Sequence, residues 1–184
     1  FSAFLEGTAG FGVPGLLISP LLIGLGLTPV QAVSLALLSN TVPVTFGAAG
    51  SPIRIGFYNF DTTQITLYTA NFGFIVSLVW PVALLLALTL FLQKDRKYFF
   101  SGLPFAFLSG LAFGVPYLLF SRISSGLPTI AGSIIGITTI GVLARLFKKP
   151  SAEVVLTDKI REVLNVTHID ERLPLYKAAL PYVF

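Results

Sequence analysis

The stretch TLYTANFGFIVSLVWPVALLLALTLFL, residues 66 to 92, carries no charged side chain. At about 1.5 Å of rise per residue it is longer, as a helix, than the roughly 30 Å of hydrocarbon in a bilayer. In hydrocarbon every backbone N–H and C=O must find its partner inside the protein, so a single uninterrupted apolar segment spans as a helix. FFSGLPFAFLSGLAFGVPYLLF (99 to 120) and TIAGSIIGITTIGVLARLF (129 to 147) meet the same test. Pro81, inside the first, is tolerable because neighbouring helices can satisfy the carbonyl it frees. Gly102, Ser109, Gly132, Ser133 and Gly136 are small enough to let the helices approach closely.

Charge supports this reading. Only 11% of the residues are charged, against about 25% in a soluble domain. Residues 1 to 93 hold Glu6, Arg54 and Asp61 alone, and most of the rest lies in 94 to 97 and 145 to 177. The net charge of +4 therefore comes from Lys and Arg beside apolar spans, where they orient a chain in a bilayer, and a nucleic-acid partner is excluded. The loop QKDRK (93 to 97) and the segment from Lys148 are expected on the cytoplasmic side, and the loop around 121 to 128, with only Arg122, on the other. Residues 148 to 176 read as a cytoplasmic loop with one amphipathic stretch, EVVLTDKIREVL. With no Met, no basic leader and an apolar run opening at its end, the chain is expected to be an interior fragment, 177 to 184 starting a further helix.

The first sixty residues differ in kind. VPGLLISPLLIGLG (13 to 26) and PVQAVSLALLSNTV (29 to 42) are each about two-thirds of a crossing. They are bracketed by GTAGFGVP (7 to 14) and GAAGSP (47 to 52), two similar runs of glycine and small residues closed by proline. Unwound backbone at membrane depth is stable only when buried in protein or lining a cavity, so two such brackets around two half-length helices predict a polar site inside the membrane. The expected fold class is an all-α integral membrane protein, a multi-helix bundle with broken or re-entrant helices near the N-terminus.

The candidate residues follow. Glu6 is an isolated acid in apolar surroundings, where a carboxyl is tolerated only when protonated, paired or both, the chemistry of a proton carrier. It could equally accept hydrogen bonds from bracket amides and staple the break. Gly7, Gly10, Gly12, Gly47 and Gly50 would free N–H groups to face an anion. Asn40 and Thr41, flanked by Ser39 and Thr45, would add side-chain donors and acceptors, or else cap and back-bond their own helix. Arg54 offers a bidentate fork for a carboxylate and lies within reach of Glu6 if the brackets meet; otherwise it opens an external loop with Asp61.

Several matches carry no chemistry. GFGVPG (10 to 15) satisfies G-x-G-x-x-G, but no strand precedes it and no acid follows about twenty residues later, so a dinucleotide is excluded. His168 stands apart from any ligand-spaced partner, and no metal or cofactor is expected. Asn165–Thr167 forms a glycosylation sequon in a loop expected to face the cytoplasm. Residues 1 to 147 contain no His, no Cys and no paired acids, which leaves a membrane-embedded enzyme without machinery.

FSAFLEGTAGFGVP (1 to 14) and LLIGLGLTPVQAVSLALLSNTVPVTFGAAGSPI (21 to 53) together resemble the signature of the lactate permease family. The family's F-L-E-G-x-A-G-F-G-x-P is matched at Phe4 through Pro14, and its N-T-x-P-V-x-F-G-x-x-G-x-P from Asn40 to Pro52. YKAALPYVF (176 to 184) is similar to the start of a later family helix, while 60 to 170 agree mainly in hydropathy. Ser39, Thr45, Ser51 and Arg54 are more polar than the family pattern. The resemblance implies a proton symporter of lactate or a related 2-hydroxy monocarboxylate in the plasma membrane, the inner membrane of a bacterium or archaeon. The bilayer, the proton, the small monocarboxylate and the remainder of a full-length permease are the implied partners. A channel, a structural membrane subunit and a transporter of another small organic anion remain as alternatives.

Overall fold

The computed structural model describes residues 1–92 and 96–146, and these are helical apart from short connections. Four short helices come first: α1 (Ser2–Thr8), α2 (Val13–Gly24), α3 (Pro29–Ser39) and, after a 3₁₀ turn at Pro43–Phe46, α4 (Gly47–Gly56). Three long ones follow, α5 (Thr62–Phe91), α6 (Arg96–Ser121) and α7 (Pro128–Leu146). All three are long and apolar enough to cross a membrane.

The short helices have local causes. Thr28 starts α3 with a capping box: its side chain accepts from Gln31 N at 3.4 Å while its own N–H donates to Gln31 Oε1 at 3.1 Å. Gln31 Nε2 also donates to Phe91 O at 3.2 Å, tying the start of α3 to the end of α5. At the other end α3 stops at Ser39, short of the expected 42, and the chain resumes at Pro43 with a 56° bend. Proline brings no N–H to continue the ladder. The carbonyl of Leu38, which accepts from Thr41 N at 3.2 Å, accepts from Trp80 Nε1 on α5 as well.

The long helices begin earlier than hydropathy indicated. α5 starts at Thr62 because Asp61 caps it, its Oδ1 accepting from Thr63 N at 2.9 Å. Asp61 thus belongs to a helix start rather than to a loop shared with Arg54. α6 starts at Arg96, among the charges that hydropathy discounted.

α6 packs along α5 on one side and α7 on the other, and the contact surfaces are cut from small residues. A side chain at Gly110 would collide with the Ser77 carbonyl, one at Gly114 with the Ser77 hydroxyl, and one at Gly132 would lie 3.0 Å from the Phe113 carbonyl. Phe46, Ile53, Ala70 and Tyr117 form one buried cluster that pins the bend to α5 and α6, with the Phe46 ring edge-on to Tyr117. Leu27, Ala32 and Leu35 form another against Leu84 and Leu88 of α5. Most other large apolar side chains face outward, as a bilayer solvent permits. The segments expected as a cytoplasmic loop (148–176) and a further helix (177–184) lie outside the described residues.

Candidate functional site

Both glycine brackets are unwound. After α1 the chain passes through Gly10 (φ 67°), Phe11 (φ 53°) and Gly12 (φ 76°), all left-handed. Among the described residues, the N–H groups of these three make no hydrogen bond. The second bracket repeats the device at Ala48 (φ 43°), Ala49 (φ 53°) and Gly50 (φ 80°). The Phe11 side chain is exposed. Left-handed geometry costs an L residue about 1–2 kcal/mol, so Ala48 and Ala49 are held there by their surroundings.

Those surroundings begin with the first bracket. A Cβ on Gly10 would stand 2.6 Å from Ala48 Cβ and 2.9 Å from Ala48 N, so the brackets touch backbone to backbone. From the other side, Gly126 lies so close that a Cβ there would be 2.8 Å from the Ala49 carbonyl, and one on Gly50 would run into Ser125. Thr129, fully buried at the start of α7, donates its hydroxyl to Pro43 O at 3.1 Å and packs its methyl against Gly7.

Glu6 sits where the brackets meet. It is 2% exposed, and its Oε2 accepts from Asn40 Nδ2 at 3.0 Å. Its Oε1 lies against Gly47, where any side chain would collide with it. One carboxyl therefore touches both ends of the bent segment, Asn40 where α3 stops and Gly47 where α4 begins. The side-chain oxygen of Asn40, Oδ1, is buried and has no hydrogen-bond partner among the described residues.

A cavity of about 440 Å³ opens beside this carboxyl, lined by Glu6, Gly10, Gly12, Gly47, Ser51 and Ile55 among others. A smaller cavity of about 110 Å³, with Ser39, Ser77 and Ser109 on its wall, lies across the same partition: Ala3 and Pro43 border the small cavity, Glu6 and Val44 the large one.

The fold thus brings together Glu6, Gly7, Gly10, Gly12, Asn40, Gly47 and Gly50. Thr41 is exposed and makes no side-chain hydrogen bond. Ser39 and Ser51 bond back to their own helices, to Ala36 O and Ala48 O. Arg54 is not brought to Glu6: it is exposed in the last turn of α4 and does not line the cavity. Thr129 and the Ser125–Gly126 turn were missed, because that loop was read only for its charge. Its small residues, SSGLP from 124 to 128, were the available signal. Among the described residues no cluster of His, Cys, Asp or Glu could hold a metal ion.

Broken half-length helices meeting around a buried acid, backed by three long apolar helices, are the architecture of a multi-pass membrane protein. The chain belongs to the L-lactate permease family, whose model matches residues 1–184. It is 42% identical over 90 residues to the L-lactate permease of Escherichia coli K12, covering 46% of this chain and 16% of that protein. To the L-lactate permease of Bacillus subtilis it is 30% identical over 151 residues (80% and 26%), and to the glycolate permease of Escherichia coli K12 30% over 163 (85% and 28%). The chain spans about a quarter of the length of its relatives that match most of it. No solved structure matches it. Family members are transporters, not enzymes.

Proposed function

We propose that the full-length protein is a secondary active transporter that moves lactate or a related small 2-hydroxy monocarboxylate across the cell membrane together with a proton. The observation that carries this reading is the placement of Glu6: a buried carboxyl on the wall of a cavity, at the contact between two unwound segments, held by the amide of Asn40. Glu6 carries the proton. The free amides of Gly10, Phe11 and Gly12 and the Asn40 side chain receive the carboxylate, with Gly7, Gly47 and Gly50 keeping the brackets close enough to share it. Relatives named for L-lactate and for glycolate support a small 2-hydroxy acid as substrate. The basic loops mark the cytoplasmic side.

The test uses the full-length permease in proteoliposomes. Glu6→Gln is expected to retain exchange of labelled lactate for unlabelled lactate while losing accumulation driven by a pH gradient. A Gln variant that still concentrates lactate with wild-type pH dependence removes the proton role from Glu6. Flux that does not saturate in the wild type favours a channel.

A further inference from the structure

The smaller cavity, across the partition from Glu6, is walled by Ser39 of α3, Ser77 of α5 and Ser109 of α6, together with Pro43, Trp80 and Pro81. Among the described residues, no acidic or basic side chain lines it. We propose that this cavity binds a monovalent metal cation, Na⁺, through the oxygens of its three serines. Such a site owes nothing to the proton reading at Glu6.

Each serine hydroxyl has already given its hydrogen to a carbonyl one turn back on its own helix: Ser39 to Ala36 O at 2.8 Å, Ser77 to Phe74 O at 2.7 Å and Ser109 to Ala106 O at 2.7 Å. The indole N–H of Trp80 is likewise committed, to Leu38 O. A hydroxyl oxygen in that state has only lone pairs left to offer. The polar part of the wall therefore accepts and does not donate, which suits a cation and repels an anion.

Two prolines add further oxygens. SNTVP (39 to 43) and SLVWP (77 to 81) share one spacing, a serine four residues before a proline. In a helix the carbonyl of residue i takes the N–H of residue i+4, and proline has none to give. Ser39 and Ser77 thus lose the helical partner of their carbonyls as well, and among the described residues no backbone N–H donates to Ser39 O. Beside Ser77 O stands Gly110, where a side chain would land on that oxygen; glycine leaves the approach open.

Position and field agree with this chemistry. Ser77 lies at the middle of α5 and Ser109 at the middle of α6, so a ligand between them sits near mid-membrane. Ser39 is the last residue of α3, the end at which the helix dipole leaves about half a negative charge. Unwound carbonyls and the C-terminal ends of half-helices hold a cation at that depth without a carboxylate. Divalent ions take carboxylate ligands, and none is offered here; neutral oxygens match a single charge. About 110 Å³ leaves room for such an ion and water beside it.

The test measures binding of radiolabelled Na⁺ to the purified full-length permease at fixed ionic strength. Saturable binding is expected, displaced by unlabelled Na⁺ and not by choline. Ser39→Ala and Ser109→Ala each remove one oxygen from the wall and are each expected to weaken Na⁺ binding about tenfold or more. Thr138→Val, which removes a similarly back-bonded hydroxyl from the exposed face of α7, is expected to leave it unchanged. No saturable binding in the wild type overturns the inference. So does binding that survives both serine changes, because the cation then sits elsewhere. Should one serine variant not fold, the other decides, and the wild type gives a second reading: Na⁺ in place of choline is expected to raise its Tm, and equal Tm values in the two salts overturn the inference. None of these outcomes bears on the pH-driven accumulation assigned to Glu6, which its own variant tests.

Discussion

Residues 1–60 and residues 62–146 are both apolar and both helical, yet among the described residues the run of left-handed glycines lies only in the first. In α5 and α6, Pro81, Pro104 and Pro116 sit inside helices that run on for 30 and 26 residues. Glycines there are docking surfaces: Gly110 and Gly114 receive the backbone and side chain of Ser77. In the first region, Pro20 and Pro52 also lie inside helices, but Pro14, Pro29 and Pro43 stand at element starts and Gly10, Gly12 and Gly50 adopt left-handed backbone. A helix broken inside a membrane exposes N–H and C=O groups that lipid cannot satisfy, so the break is stable only where protein covers it or a ligand visits. The short elements are covered by each other, by the Ser125–Gly126 turn and by Thr129. The long helices, unbroken, satisfy nearly all of their own backbone, and most of their apolar surface is exposed. Breaks, and not apolarity, mark where backbone polar groups meet a cavity in this chain.

The contrast can be broken in graded steps. The largest effect is expected from Gly50→Ala in the full-length protein, which sets a side chain into left-handed backbone and against the Ser125 carbonyl; we expect a loss of about 2–5 kcal/mol. That is a large part of an ordinary protein's stability, about 5–15 kcal/mol, and a thermal-shift scan of the detergent-solubilised permease should show it. Wild-type stability would mean that the second bracket is looser than described. Gly110→Ala, in the α5–α6 seam, is expected to cost less, about 1–3 kcal/mol, because two straight helices can separate slightly without undoing a hydrogen-bonded turn. If it proves the more damaging of the two, the seam rather than the bracket is the rigid part. Thr129→Val keeps the methyl against Gly7 and removes the hydroxyl from Pro43 O, with an expected loss of about 1 kcal/mol and slower exchange of lactate. Unchanged exchange would show that the bend does not depend on α7. The smallest effect is expected at Arg54, exposed and outside the cavity: Arg54→Gln should move stability by less than about 0.5 kcal/mol and the lactate KM by less than about twofold. A tenfold rise, equal to about 1.4 kcal/mol, would return Arg54 to the site in the assembled protein.

Much of this was legible in the order of residues, for identifiable reasons. An uncharged run such as 66 to 92 has one stable conformation in hydrocarbon, so helix count and class follow from length and composition. Glycine beside proline, twice, was enough to expect two unwound segments, because both residues act on their own backbone. Where α3, α5 and α6 begin and end was read less well, since caps such as Asp61 and the proline at 43 act through single hydrogen bonds that hydropathy averages away.

What tertiary structure alone decided is partnership. Nothing in the spacing of Glu6, Asn40 and Gly47 says that the acid will meet both, since 34 residues separate it from Asn40 and the contact exists only once α1 is folded back on the bend. The same holds for Thr129 and Pro43, 86 residues apart. Arg54, equally conspicuous in the sequence, stands exposed in the last turn of α4, off the wall of the cavity beside the carboxyl it was expected to neutralise. Local chemistry sets where a chain can break and what must be covered; which side chain does the covering depends on the path of the whole chain, and that is settled by packing.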